Sequence, residues 1–167
     1  MTVLRKDPLL VGSLRYNRLT EKIDVTKVLW WNKEPCVLTN KGRKALRYFF
    51  EKYYGLFNES VMDDALDLEA YSKEYHPICE YLETLEWDGK ERIRNVLKVY
   101  MGADDSDMVY EMLKHFMMGA LNRIYCPGCK FDEMLCLVGQ QGAGKSTFFR
   151  FLALDDQWFS DSLKNLN

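Results

Sequence analysis

Residues 134–154 read MLCLVGQQGAGKSTFFRFLAL. Within this stretch, GQQGAGKS at 139–146 satisfies the pattern G-x-x-x-x-G-K-[ST] at every fixed position. The apolar run at 134–138 suits a buried parallel strand, and residues 146–154 suit a helix that places Phe148, Phe149 and Leu152 against a sheet. A strand, a glycine-rich loop and a helix are the three parts of a phosphate-binding P-loop. The stretch therefore predicts the beginning of a P-loop NTPase α/β domain.

The residues of the loop have distinct predicted roles. Gly139, Gly142 and Gly144 are expected to adopt positive φ, so that successive backbone amides converge on the phosphates without a Cβ clash. Lys145 is the predicted catalytic residue, whose ammonium points into the loop and reaches the β- and γ-phosphates, while the Ser146 hydroxyl coordinates Mg²⁺. The predicted cofactors are thus ATP and Mg²⁺. The predicted nucleotide-binding residues, with Thr147 as a secondary contact, are Gly139, Gln140, Gln141, Gly142, Ala143, Gly144, Lys145, Ser146 and Thr147.

Hydrolysis in this class of site also needs an acidic residue on a second strand, which holds Mg²⁺, and a group that orients the attacking water. The acids after Ser146 are Asp155, Asp156 and Asp161, and none of them ends an apolar, strand-like run. They are interpreted as loop and cap residues. The chain is therefore expected to be a fragment or an early-terminated reading frame that lacks the catalytic acid.

Composition restricts the class of protein. The 167 residues are 47% hydrophobic and 14% aromatic, which is enough for a packed core in one ordinary domain or two small ones. No segment approaches the ~20 consecutive apolar residues of a membrane helix, and the charged first residues lack the apolar run of a signal peptide. A cytoplasmic protein without a membrane partner is predicted.

The five cysteines are an odd number in a chain with no export signal, so reduced thiols, mostly in the core, are expected rather than disulfides. Cys126 and Cys129 form a CxxC, but no second spaced pair follows to complete a zinc site. The segment is interpreted as a turn at Pro127-Gly128.

Charge is distributed unevenly along the chain. Residues 1–60 carry 12 Lys and Arg against 6 Asp and Glu, whereas residues 61–167 carry 11 against 19. The basic half is the better candidate for contact with a polyanion. Lys41, Arg43, Lys44 and Arg47 lie at a predicted helix start, where cations oppose the helix macrodipole. Two interpretations stay open: a solvated basic face, or a DNA-binding cluster whose charge is compensated by phosphates.

The predicted fold class is α+β and mainly helical. Short strands are expected before residue 40, because Leu14 with Tyr16, and Ile23 with Val25, alternate with polar residues. Two helices are then predicted, one from Asn40 as N-cap to Gly55 and one from a capping box of Ser60 and Asp63 to about Tyr75. Three more are predicted from Pro77 through Leu85, from Ile93 to Gly102 and from Ser106 to Tyr125. The apolar stripe of the last helix is expected in the core and consists of Met108, Met112, Phe116, Met117, Ala120, Leu121 and Ile124. The predicted domains are an N-terminal basic α/β region at 1–75, a helical region at 76–130 and the incomplete NTPase domain at 131–167.

Several further motifs occur in a fixed order along the chain. They are Asp7-Pro8, Tyr16-Asn17, Tyr54-Gly55 before Ala65, His76-Pro77, Tyr81-Leu82, Trp87-Asp88-Gly89, Arg92-Ile93, Pro127-Gly128, Phe131-Asp132 and Trp158-Phe159-Ser160-Asp161. Together with the P-loop they resemble the virulence-associated protein E family, P-loop ATPases of phages, plasmids and pathogenicity islands that are often beside or fused to primases.

The resemblance implies a helicase-like ATPase of DNA replication that works on DNA as a homo-oligomeric ring with sites shared between subunits. It also implies that the acidic Mg²⁺-binding strand and the arginine finger lie beyond Asn167. It assigns no chemistry to Trp87-Asp88-Gly89, which is interpreted as a tight turn with an aromatic anchor.

Two other functions stay open at this level. A P-loop kinase or nucleotide-dependent switch would use the same loop, but the mostly helical residues before it offer no recognisable substrate lid or acceptor site. A truncated, non-catalytic product would bind DNA or a partner through the basic front half.

Overall fold

A computed structural model of the protein describes residues 1–160, which form two compact units, Met1–Leu85 and a second that begins at Glu86. The described fold is α+β and mainly helical, as predicted. The domain boundaries expected at residues 75 and 130 remain predictions. The first unit contains α1 (Thr2–Lys6), β1 (Leu14–Asn17), β2 (Lys22–Val25), β3 (Cys36–Val37), α2 (Asn40–Tyr54), α3 (Glu59–Tyr71) and α4 (Pro77–Glu83); the second contains α5 (Ile93–Met101), α6 (Asp107–Tyr125), α7 (Lys145–Leu152) and a 3₁₀ turn (Asp156–Trp158).

The three strands form one antiparallel sheet in the order β1-β2-β3. Leu14 lies opposite Val25, and Tyr16 lies opposite Ile23. Because side chains of a strand alternate between its two faces, this register places the four apolar residues on one face of the sheet. The alternation predicted for β1 and β2 is confirmed.

The core of the first unit lies between this face and helices α2 and α3. Trp31 packs against it, and Trp30 stacks on Phe49 with ring centroids 4.6 Å apart. The buried apolar side chains are Leu4, Leu10, Leu14, Ile23, Val25, Leu29, Leu46, Phe49, Phe50, Met62, Leu66 and Ala70.

The N-caps predicted for α2 and α3 are both wrong. Asn40 is already helical, and the extended residue Thr39 caps α2 by accepting a hydrogen bond from the Gly42 amide at 3.4 Å. At α3 the Asn58 side chain, and not Ser60 with Asp63, accepts from the Val61 amide at 3.1 Å. In each case the side chain with the right geometry is the last residue with extended backbone, which propensity alone does not locate.

Helix α3 ends at Tyr71, four residues earlier than predicted, because the following segment bonds to the sheet. The Tyr75 amide donates to the Tyr16 carbonyl, and the Arg18 amide donates to the Tyr75 carbonyl, both at 2.9 Å. Burial raises the pKa of Tyr75 to about 12, reinforced by the hydrogen bond from its hydroxyl to Asp24. His76 then caps α4 and Pro77 begins it, as predicted.

In the second unit, the ends of α5 and α6 match the prediction. Gly102 closes α5 with φ 65°, and the Ser106 side chain caps α6 by accepting from the Val109 amide. The expected burial of the whole apolar stripe of α6 is wrong, since Met108 is 65% exposed. The buried residues of this helix are Leu113 and Gly119.

The CxxC segment and Trp87-Asp88-Gly89 both form turns, as predicted. At the CxxC the Cys129 amide donates to the Cys126 carbonyl at 3.1 Å, and Gly128 has φ 83°. At Trp87-Asp88-Gly89 the Asp88 carboxylate receives two hydrogen bonds from Arg92, and these lower the pKa of Asp88 to about 2. The predicted aromatic anchor is wrong, because Trp87 is 78% exposed.

All five cysteines are free thiols, as predicted, but most of them are not in the core. Cys36, Cys126 and Cys136 are exposed. Within residues 1–160, no helix is both long and apolar enough to cross a membrane.

Candidate phosphate-binding loop

The loop at 139–144 leads directly into helix α7. Gly142 has φ 83° and Gly144 has φ 78°, a region that residues with a Cβ rarely adopt. Positive φ is therefore confirmed at two of the three predicted glycines. At Gly139 the prediction is wrong, because its φ lies outside the left-handed region.

The start of α7 has no side-chain cap, since its N-cap residue is Gly144. The first helical hydrogen bond runs from the Phe148 amide to the Gly144 carbonyl at 2.8 Å. By helix geometry, the amides of Lys145, Ser146 and Thr147 precede that bond and have no acceptor within the helix. This end of α7 therefore offers N–H donors and the positive end of the helix dipole.

Lys145 folds back over the loop. Its Nζ donates to the carbonyl of Gly139 at 2.9 Å and to the carbonyl of Gln140 at 2.7 Å. The loop is also closed by the Ala143 amide, which donates to the Gln140 carbonyl at 3.3 Å. The ammonium group thus points into the loop, as predicted from the sequence.

The remaining predicted contacts are open to solvent. Gln140, Gln141, Ser146 and Thr147 are exposed, and the Ser146 hydroxyl is one candidate oxygen ligand for Mg²⁺ beside the loop. Within residues 1–160 no three His, Cys, Asp or Glu side chains form a group suited to a metal ion.

The strand predicted before the loop does not form in the described part of the chain. Residues 134–138 have no strand partner, Met134 is 80% exposed and Val138 is 98% exposed. A buried parallel strand needs neighbouring strands for its backbone groups, and the described strands all belong to the first unit.

As a result, α7 packs against helices instead of a sheet. The Phe149 ring meets the Phe116 ring of α6 edge to face, with centroids 5.9 Å apart, and Phe151 is 77% exposed. The predicted contact of the apolar face of α7 with a sheet is therefore not present among the described residues.

The acids after α7 occupy a turn, as predicted. Arg150 donates two hydrogen bonds of 2.6 Å to Asp156, and these bonds, with the charge of Arg150, lower the pKa of Asp156. Asp155 precedes the 3₁₀ turn, and its carbonyl accepts from the Trp158 amide. Asp161, the last predicted acid and the end of the Trp158-Phe159-Ser160-Asp161 motif, lies outside the described residues.

The four predicted DNA-binding cations are divided between two environments on α2. Arg43 bonds to Asp63 and Asp67 of α3, and Arg47 pairs with Glu59 and Asp63. Lys41 and Lys44 are exposed and have no ion-pair partner within residues 1–160. Acidic residues of α3 therefore supply the counter-charge of both arginines.

Residues near the α2 cations and near the loop at 139–144 were not predicted as functional from the sequence. On α2, Tyr48 and Lys52 follow Lys41 and Lys44 at positions 41, 44, 48 and 52, a spacing that keeps the four residues on one helix face and was visible in the sequence. Near the loop, Tyr100 of α5 is 75% exposed and lines a cavity beside Gly144. No local pattern indicates that cavity, because it depends on how α5 and α7 pack.

Comparison with known proteins identifies the second unit. The family model of the Virulence-associated protein E-like domain matches residues 82–167, which include the loop and α7. No curated protein matches the chain. The matched segment covers more than half of the 167 residues and carries the loop, so the chain belongs to the virulence-associated protein E-like family.

Proposed function

We propose that residues 139–147 bind the phosphates of ATP together with Mg²⁺, as the nucleotide-binding part of an ATPase that serves DNA replication of mobile genetic elements. The observation that carries this proposal is the position of Lys145, whose Nζ lies over a glycine loop at the uncapped start of a helix. Membership of the family, and the motifs that resemble its replication ATPases, support the broader role.

The loop has the donors that a polyphosphate requires. The free amides at the start of α7 and the Lys145 ammonium are hydrogen-bond donors, and an anion there is further favoured by the helix dipole. Lys145 Nζ has three N–H donors and uses two on the carbonyls of Gly139 and Gln140, so a phosphate oxygen would accept the third. The exposed Ser146 hydroxyl would hold Mg²⁺, which neutralises charge on the phosphates.

A kinase or switch built on the same loop is the alternative. Such a protein needs a second substrate site in reach of the terminal phosphate. The cavity beside the loop is lined mainly by apolar side chains and has no charged one, which suits a nucleobase better than a phosphate acceptor. We therefore propose an ATPase and not a kinase or switch.

The test is equilibrium binding of ATP with Mg²⁺ to residues 1–167 by calorimetry. Lys145→Ala is expected to weaken binding roughly 10- to 100-fold, the value of one hydrogen-bonded charge. Lys130→Ala is the matched control, since this lysine of the same unit is 85% exposed and is expected to leave the affinity unchanged. Equal affinities for the wild type and Lys145→Ala would remove the P-loop from the proposal.

We also propose that α2 contacts DNA through the stripe formed by Lys41, Lys44, Tyr48 and Lys52. The Tyr48 ring is 61% exposed, and Lys52 Nζ lies 5.6 Å from its centroid. Exposed cations beside an exposed aromatic ring suit single-stranded DNA, whose bases stack on rings while its phosphates meet ammonium groups. Arg43 and Arg47 are not part of this stripe, because they are paired with acidic residues of α3.

A further inference from the structure

A cavity of about 470 Å³ lies between α5 and α7, beside the loop. Its lining includes Gly144 and Thr147 at the loop end of α7, and Tyr100 and Met101 of α5. We propose that this cavity holds the purine base of the nucleotide whose phosphates the P-loop binds. The inference rests on the proposed function and adds the site of the base and the class of nucleotide.

Position is the first argument. Gly144 is the N-cap of α7, and Thr147 is the last of the three residues whose amides have no acceptor in the helix. The same two residues line the cavity, so one ligand can reach both the amides and the apolar space. The volume falls within the ~300–1,000 Å³ of small-molecule sites.

Chemistry is the second argument. Tyr100 is 75% exposed and Phe151 is 77% exposed, and both line a mainly apolar cavity where a ligand that buried them would be favoured. A flat base in the cavity would cover part of this apolar surface and would stack on Tyr100 as bases do on aromatic platforms. A phosphate or a metal ion does not suit these walls, because no charged side chain lines them.

Selectivity follows from the same lining. Tyr100 and Thr147 are the lining residues with hydroxyl groups, and the others offer apolar surface. A purine has the larger face for stacking and is expected to bind more tightly than a pyrimidine. A pocket with few side-chain donors and acceptors discriminates weakly between bases of equal size, so ATP and GTP are expected to bind within a few-fold of each other.

The experiment compares ATP with inorganic tripolyphosphate as probes, both with Mg²⁺, on residues 1–167. Tyr100→Ala is expected to weaken the binding of ATP roughly tenfold, which is the contribution of one stacked base. The affinity for tripolyphosphate is expected to stay unchanged. Tyr100→Phe keeps the ring and is expected to keep the affinity. Tyr125→Ala is the matched control, because Tyr125 is 51% exposed in the same unit and does not line the cavity.

Each outcome has one meaning. If Lys145→Ala weakens both probes and Tyr100→Ala weakens ATP alone, the base site is supported. If Lys145→Ala weakens both probes and Tyr100→Ala weakens neither, the base site is refuted while the P-loop proposal stands. If neither probe binds the wild type, both proposals fail. If Tyr100→Ala weakens both probes equally, the tyrosine acts on the fold of the loop and the base site is refuted.

Discussion

The tip of the Phe131 ring rests directly on Gly119, where a methyl group built on the glycine would lie only 2.2 Å from the ring. The Phe131 carbonyl also accepts a hydrogen bond of 2.6 Å from Arg123. These contacts fix the segment before the loop to α6. Gly119 is therefore needed for close approach of the ring and not for a special backbone conformation.

We predict that Gly119→Ala destabilises the second unit by up to about 2 kcal/mol, because overpacking of roughly 1–3 kcal/mol is offset by about 1 kcal/mol of helix propensity. In a Phe131→Ala background the clash is absent, so Gly119→Ala is expected to stabilise by up to about 1 kcal/mol. Urea unfolding of the four proteins of this cycle measures the difference. The same effect of Gly119→Ala in both backgrounds would show that the ring does not restrict position 119.

We predict negligible ATP turnover by residues 1–167 even when ATP is bound. Among the described residues, the nearby acids are in the turn after α7, and Asp156 is engaged with Arg150. A water-activating site also needs an acid that holds Mg²⁺. Phosphate release is the measurement, with Lys145→Ala as the background. Mg²⁺-dependent turnover that disappears in Lys145→Ala would show that this chain contains a catalytic acid that was overlooked.

We predict that Glu69 stabilises the first unit near neutral pH and not in acid. Its side chain is 2% exposed and pairs with Arg5 at 2.7 Å and Lys73 at 2.5 Å. Burial acts to raise the pKa of Glu69, but the hydrogen bonds and charges of Lys73 and Arg5 outweigh it and lower the pKa. The stabilisation is therefore present above the ordinary value of ~4.3 and is lost as the pH falls through the lowered pKa of the folded state.

Glu69→Gln is accordingly expected to cost roughly 1–3 kcal/mol at pH 7, and this cost should shrink as the pH falls below about 4. Urea unfolding at several pH values measures both quantities. Glu51→Gln, at an exposed position of α2, is the control and is expected to change stability by less than about 0.5 kcal/mol. A cost for Glu69→Gln that does not change with pH would argue against a charge effect.

We predict that Arg47 and Lys44 differ in their effect on stability. The Arg47 side chain is 21% exposed and pairs with Glu59 and Asp63, whereas Lys44 is exposed. Arg47→Ala is expected to cost about 1–2 kcal/mol, and Lys44→Ala less than about 0.5 kcal/mol. Thermal and urea unfolding compare the two. Equal costs would mean that the ion pairs with α3 contribute little.

We predict that Lys41→Gln with Lys44→Gln weakens binding of single-stranded DNA and lowers the slope of log affinity against log salt by about 0.7 for each lost phosphate contact. Fluorescence anisotropy at several salt concentrations measures both. Lys6→Gln with Lys33→Gln removes the same charge from exposed positions of the first unit and serves as the control. If the two double variants weaken DNA binding equally, the stripe has no special role. If the Lys41→Gln, Lys44→Gln variant binds DNA as tightly as the wild type, the stripe is a solvated face.

The sequence predicted the local features whose causes are local. Gly55 and Gly102 end helices at positive φ, Pro77 begins one, and the loop glycines 142 and 144 have the backbone that the motif requires. These outcomes depend on a few neighbouring residues and on steric rules that hold in any fold.

The failures lie where distant residues decide. Helix α3 ends early because Tyr75 bonds to Tyr16, far away in sequence. The charge cluster on α2 is divided because α3 lies beside it, and residues 134–138 form no strand because no partner strand lies beside them in the described chain. Periodicity records which faces are apolar but not which element covers them.

The two carbonyl contacts of Lys145 have a consequence for the thermodynamics of binding. A free lysine loses up to ~2 kcal/mol of side-chain conformational entropy when it is fixed in one orientation. In this loop the Nζ atom is already held by Gly139 and Gln140, so this entropy is lost when the protein folds and not when the ligand binds. The site is preorganised for an anion. Conditions that fray the start of α7 should therefore reduce phosphate affinity before they unfold the rest of the unit.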